Sequence, residues 1–229
     1  MMFDHQLIKK YVEENQYKDM LNYNPVKDNK LAIIVETRNL EYLDWVVDTV
    51  KYHLNWNIRF FCSHESYSSI QNVEKSIIPK NINYSKIFKD IEFWKDIDEE
   101  YILVFQHDSF VLRSGIEEFL QYDYIGAPWY WTYGDYKDKR YKDLKDFQQG
   151  GNGGFSLRKK SSMIKMIESN PPDYEYEDMY FSNALTKDVP LEVKKRFAVE
   201  SMFYPDPLGV HHITKYLNND QIEKILFKK

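Results

Sequence analysis

Residues 101–109 read YILVFQHDS. Five apolar and aromatic residues, the length of one strand, stop abruptly at Gln106, His107 and Asp108. A continuous apolar run of this kind marks a strand covered on both faces, which is the condition of strands in parallel sheets flanked by helices. In open sheets of that type ligands gather beyond the carboxyl ends of the strands, so the strand would deliver Asp108 to the place where chemistry is expected.

Working outward, LAIIV at 31–35 repeats the pattern and ends in Glu36, Thr37 and Arg38. Leu43, Val47, Val50 and Leu54 then recur at helical spacing, and NIRFFCS at 57–63 returns to strand character. Further helices are predicted around 66–77 (SYSSIQNVEKSI) and 87–97 (IFKDIEFWKDI). Ser114 and Glu117, three apart, predict a capped short helix directly after the aspartate. The glycine cluster GGNGG at 150–154 leads into a short strand, FSLR, and a helix stopped by Pro171 and Pro172. Strands alternating with helices imply an α/β fold with a mainly parallel central sheet flanked by helices. Residues 1–29 read as an N-terminal helical extension and connector, 30–229 as a single domain, and 130–149 as a long excursion without clean periodicity.

Composition narrows the function classes. With 43% hydrophobic and 29% charged residues the chain of 229 folds as a globular protein. Its 31 basic residues are outnumbered by 36 acidic ones and interleaved with them, which leaves no footprint for nucleic acid. Cys62 is the single cysteine, so neither an internal disulfide nor a cysteine metal cluster can form. No apolar run of membrane-spanning length occurs, and the chain reads as soluble and cytoplasmic.

Four features can carry chemistry. Asp108 on a rigid strand end is a hard-oxygen ligand for Mg²⁺ or Mn²⁺, or else the cap of a following helix. GGNGG lets backbone approach a ligand closely, or makes a tight turn; four glycines in five positions exceed what one turn needs. Glu177 and Asp178 stand at the head of a helical stretch, where ordinary first-turn acids also stand. His211 and His212, two of six histidines, follow a Pro-Leu-Gly turn and offer imidazole to a metal.

In their order IIVETR, FQHDS, YDYIGAPW, GGNGGFSLR, EDMYF and LGVHH, over roughly 31–215, the chain resembles uncharacterised glycosyltransferase-like proteins of the GT-A fold found in bacteria, fungi and large DNA viruses. The resemblance implies a sugar moved from a nucleoside-diphosphate-sugar donor to a hydroxyl acceptor, whether glycan, protein or small molecule. It places Thr37 and Arg38 at the nucleotide, and Asp108 as the metal-binding end of an Asp-x-Asp motif whose first aspartate is here Gln106. Gln106 can still hydrogen-bond a ribose hydroxyl but adds no charge. His211, with His212 beside it, would complete the shell of Mn²⁺ or Mg²⁺. Asp178 first and Glu177 second would serve as general base, Gly151, Asn152, Gly153 and Gly154 would line the substrate, and Trp129 would stack on a sugar or pack in the core. A nucleotidyltransferase acting on sugar phosphates, and a binding module without turnover, are the competing expectations.

Overall fold

The computed structural model describes residues 5–15, 23–26, 28–130, 150–171 and 176–227. Helix α1 (His5–Glu14) leads into β1 (Lys30–Glu36), α2 (Leu43–Leu54), β2 (Asn57–Cys62) and β3 (Glu74–Ile77). Two short helices, α3 (Tyr84–Phe88) and α4 (Ile91–Lys95), precede β4 (Tyr101–Phe105) and β5 (Ser109–Val111). Then come β6 (Tyr124–Gly126), β7 (Phe155–Lys159), α5 (Lys160–Ser169), α6 (Glu177–Leu185), α7 (Leu191–Phe197), β8 (Ala198–Val199), β9 (Gly209–His211) and α8 (Asn219–Phe227).

The main sheet has the order β3-β2-β1-β4-β7-β6, parallel through its first four strands and antiparallel at β7 and β6. That is the expected α/β class. Alternation along the strands explains the unbroken apolar runs. Ala32, Ile34, Phe60, Leu103 and Phe105 face one core with α2 and α8, while Ile33, Val35, Ile102 and Val104 face a second core with Phe88, Trp94, Met163 and Phe181. Tyr11 and Val12 of α1 are buried in the first of these cores.

Three local expectations fail. Residues 66–77 form turns and the edge strand β3 rather than a helix: Asn72 takes a left-handed φ of 57°, and residues 74–77 pair in parallel with β2. The span 87–97 holds two helix ends instead of one helix, because Asp90 leaves helical geometry and its Oδ1 accepts the Glu92 N–H as the cap of α4. No capping box forms at Ser114. Its hydroxyl donates to the His53 carbonyl at 2.9 Å, and the short 3₁₀ turn Ile116–Phe119 starts from Gly115 at φ 103°. The predicted excursion at 130–149 lies, from 131 on, outside the described residues.

Candidate active site

A second, smaller sheet builds the site. In the order β5-β9-β8 it pairs Ser109 with His211, so the residue before β5 and the residues ending β9 meet. The backbone seals the meeting: the His212 N–H donates to the Asp108 carbonyl at 3.0 Å. No helix follows Asp108 directly, which removes the helix-cap role. The turn between β4 and β5 is locked by the Ser109 N–H to the Gln106 carbonyl at 3.1 Å, and by the Ser109 hydroxyl to the Gly154 carbonyl at 2.9 Å.

Around Asp108 the charges are buried together. His211 Nε2 lies 3.3 Å from Asp108 Oδ1, His211 Nδ1 3.3 Å from Glu200 Oε1, and His212 Nδ1 3.4 Å from Asp108 Oδ2. Burial alone would lower the proton affinity of His211, but Asp108 and Glu200 outweigh it and raise its pKa to about 10. Burial likewise opposes the charged form of Asp108. His211 first, with His107 and His212, overcomes it and holds the carboxyl well below its ordinary range. His211 therefore carries its proton at neutral pH and donates from Nε2 to Gln106 Oε1 at 3.1 Å. Asn152 Nδ2 donates to Glu200 Oε1 at 3.1 Å, tying the glycine loop into the same cluster.

Beside this cluster a cavity of about 230 Å³ opens at the carboxyl ends of β1 and β4, lined by Val35, Glu36, Thr37, Arg38, Ile82, Tyr84, Gln106 and His107. Arg38 is held at its rim by Glu36: Nε donates to Oε1 at 2.8 Å and Nη2 to Oε2 at 2.6 Å. Thr37 donates to the Lys80 carbonyl at 3.0 Å, and Tyr42 Oη stands 2.8 Å from His107 Nδ1. The Tyr84 hydroxyl is buried beside the Gln106 side chain.

The acidic pair at the head of α6 divides its tasks. Glu177 is buried and takes a bidentate bond from Arg158 of β7, Nη1 to Oε2 at 2.7 Å and Nη2 to Oε1 at 3.1 Å. Asp178 is half-buried and, among the described residues, takes only the Met179 N–H, at 2.8 Å. Burial, and then the Glu177 carboxylate, push its pKa up to about 7. The glycine loop is packed hard against these groups. A Cβ on Gly153 would stand 2.2 Å from Glu177 Oε1, and one on Gly154 2.2 Å from His211 Nε2 and 2.7 Å from Gln106 Oε1. Glycine at both positions is what allows the backbone to pass between the acidic pair and the histidine.

Comparison with known proteins adds a family. A family profile described as "Protein of unknown function (DUF5672)" matches residues 67–211. The chain belongs to that family. No curated protein matches it. Among solved structures, the galactosyltransferase LgtC in complex with donor and acceptor sugar analogs aligns with a TM-score of 0.44 at 10% identity, over 68% of this chain and 70% of LgtC. An active-site mutant of LgtC aligns with a TM-score of 0.45 at the same identity and coverage.

In this DUF5672 member the predicted site residues fall into three groups. Thr37, Arg38 and Gln106 share the cavity; Asp108, His211, Asn152 and Gly154 share the buried charge cluster; Glu177, Asp178 and Gly153 pack together beside it. Trp129 is buried, outside both apolar cores, and Gly151 meets the Tyr124 ring. Sequence reasoning passed over Tyr42, Tyr84, Arg158 and Glu200, and treated Glu36 only as the end of a strand. Arg158 had one available signal, a cation within the strand FSLR. Glu200 had none, because only tertiary packing brings it to His211.

The donor chemistry suits a divalent ion as a two-ligand site. Asp108 Oδ1 is buried beside the His211 imidazole at 3.3 Å, and His211 would have to release its proton to join Asp108 as a ligand. Among the described residues no group of three or more His, Cys, Asp or Glu is placed to hold an ion. Further ligands would have to be substrate oxygens, the manner in which Mg²⁺ is commonly held.

Proposed function

We propose that the protein is a glycosyltransferase that moves a sugar from a nucleoside-diphosphate sugar to an acceptor hydroxyl. The observation that carries this reading is the placing of three features along one glycine loop: a cavity at the strand ends rimmed by Arg38 and reaching Gln106, the buried carboxylate–imidazole cluster at Asp108 beside Gly154, and a half-buried carboxyl at Asp178 beside Gly153, with a pKa of about 7. The resemblance of the motifs to GT-A glycosyltransferases supports it.

Arg38 presents a planar guanidinium to the diphosphate, whose geometry it matches. Gln106 and Tyr84 orient the nucleotide side of the donor in the cavity. Asp108, and His211 once it has lost its proton, would hold Mn²⁺ or Mg²⁺, which would neutralise negative charge on the leaving diphosphate. Asp178 accepts the proton of the attacking hydroxyl, and a pKa near neutrality suits that task, since a base works best when its pKa lies near the operating pH.

The test is nucleoside diphosphate release from a panel of nucleotide sugars with Mn²⁺ and candidate hydroxyl acceptors, using Asp108→Ala as control. Release that depends on Asp108, with an ascending pH limb near 7, is the expected result. Pyrophosphate release from a nucleoside triphosphate plus sugar phosphate would favour nucleotidyl transfer instead. Thermal stabilisation by nucleotides without turnover would leave a binding module.

A further inference from the structure

Arg158 is the least expected residue of the molecule: a cation at the centre of the fold. Its guanidinium lies over Phe88, Tyr124 and Phe181 at 4.8, 5.3 and 5.9 Å from the ring centroids. Every arm of the fork is engaged. Nε donates to Ser156 Oγ at 2.9 Å, Nη2 to the Gly153 carbonyl at 3.1 Å, and Nη1 and Nη2 together to Glu177. A sealed ion pair adds little stability over a well-packed apolar pair, so its retention needs another reason.

We propose that Arg158 and Glu177 form a positioning pair that acts on the reaction through Asp178, by pinning both the start of α6 and, through the Gly153 carbonyl, the stretch of glycine loop that lies beside Asp178. Asp178 Cβ stands 2.9 Å from where a Gly153 Cβ would be, and α6 begins at Glu177, so the pair fixes both surfaces that orient the carboxyl. Neither partner reaches solvent or the cavity, so neither touches substrate. The electrostatics agree. The groups facing Asp178 are Glu177 on its own helix, Arg158 from β7, Glu200 beyond β8, Tyr84 from α3 and Tyr124 from β6; after burial, Glu177 contributes most to raising its proton affinity and Arg158 opposes it. This inference rests on Asp178 being the base.

Two variants test it. Glu177→Gln keeps size and removes the charge, so the ascending limb of kcat/KM should move to lower pH, and the Asp178 carboxyl, followed by carbon NMR in ligand-free protein, should titrate lower as well. Arg158→Lys keeps the charge and loses the fork, and should lower kcat by about 100-fold through misplacement of the base while donor KM stays within about twofold. A purely structural pair would leave kcat per folded molecule unchanged in Arg158→Lys, and that result would overturn the proposal. If Arg158→Lys does not fold, an unmoved pH limb together with an unmoved Asp178 titration in Glu177→Gln would overturn it. If the wild type releases no nucleoside diphosphate from any donor, the glycosyltransferase reading fails separately. An Asp178 titration in Glu177→Gln that is still lowered would then support the positioning pair.

Discussion

Among the described residues two arginine–carboxylate pairs are bidentate, with nearly equal geometry and opposite setting. Arg38 and Glu36 meet at 2.6 and 2.8 Å, Arg158 and Glu177 at 2.7 and 3.1 Å. The Arg38 side chain is 59% exposed over a buried Glu36, whereas Arg158 is 0% and Glu177 3% exposed. Contact distances alone would call these equivalent. The difference in solvent access separates what each could do: an open guanidinium has a face available to an incoming anion, as proposed for Arg38, and a sealed one can only hold neighbours in place. Glu36 turns Arg38 toward the cavity, and Arg158 turns α6 toward the glycine loop.

That contrast can be broken from either side. Arg158→Met leaves Glu177 buried without its counter-charge, and should destabilise the fold by about 3–5 kcal/mol in urea unfolding. A loss under ~1 kcal/mol would mean that the sealed pair is dispensable for folding. Arg38→Met should cost less in urea unfolding than Arg158→Met, since the exposed Arg38 is screened by water and the buried Glu36 keeps the backbone N–H of residue 38. It should weaken nucleoside-diphosphate binding in calorimetry by about 1.5–3 kcal/mol, the worth of a charge-assisted bond. Unchanged affinity would remove Arg38 from the donor site.

Two smaller effects sharpen the comparison along the line between the pairs. Gly154→Ala forces a methyl against His211 and Gln106, and should lower the urea midpoint by an amount equivalent to about 1–3 kcal/mol. Tyr84→Phe deletes a buried hydroxyl whose neighbour is the Gln106 side chain, at a distance or angle short of a full hydrogen bond. Folding should be unaffected or slightly improved, while nucleotide binding weakens by about 0.5–1.5 kcal/mol. Tighter nucleotide binding in Tyr84→Phe would show that the hydroxyl does not face the ligand.

Much of the frame was legible because apolar runs and helical spacing are local signals. LAIIV, NIRFFCS and YILVF are β1, β2 and β4, and Leu43 to Leu54 is α2. The stretch 66–77 misled because Tyr67, Ile70, Val73 and Ile77 stand at helical spacing, whereas its strand is specified by the edge of β2, a partner that the stretch itself does not contain. Asp108 was recognisable as a strand-end carboxylate, and the pairing of Ser109 with His211 decided whom it meets. Glu177 and Asp178 were equal as neighbours in sequence and became unequal only once Arg158 claimed one of them.

By itself the sequence determined the α/β class, the strand ends where polar residues cluster, and the residue types available for chemistry, all of which follow from periodicity and composition. Tertiary structure alone decided which arginine is sealed, which carboxyl keeps a pKa near neutrality, and which histidine carries a proton. Those properties depend on burial and on charges brought within a few ångströms by strand register, and desolvation and Coulomb interactions are set by distance in space rather than by spacing along the chain.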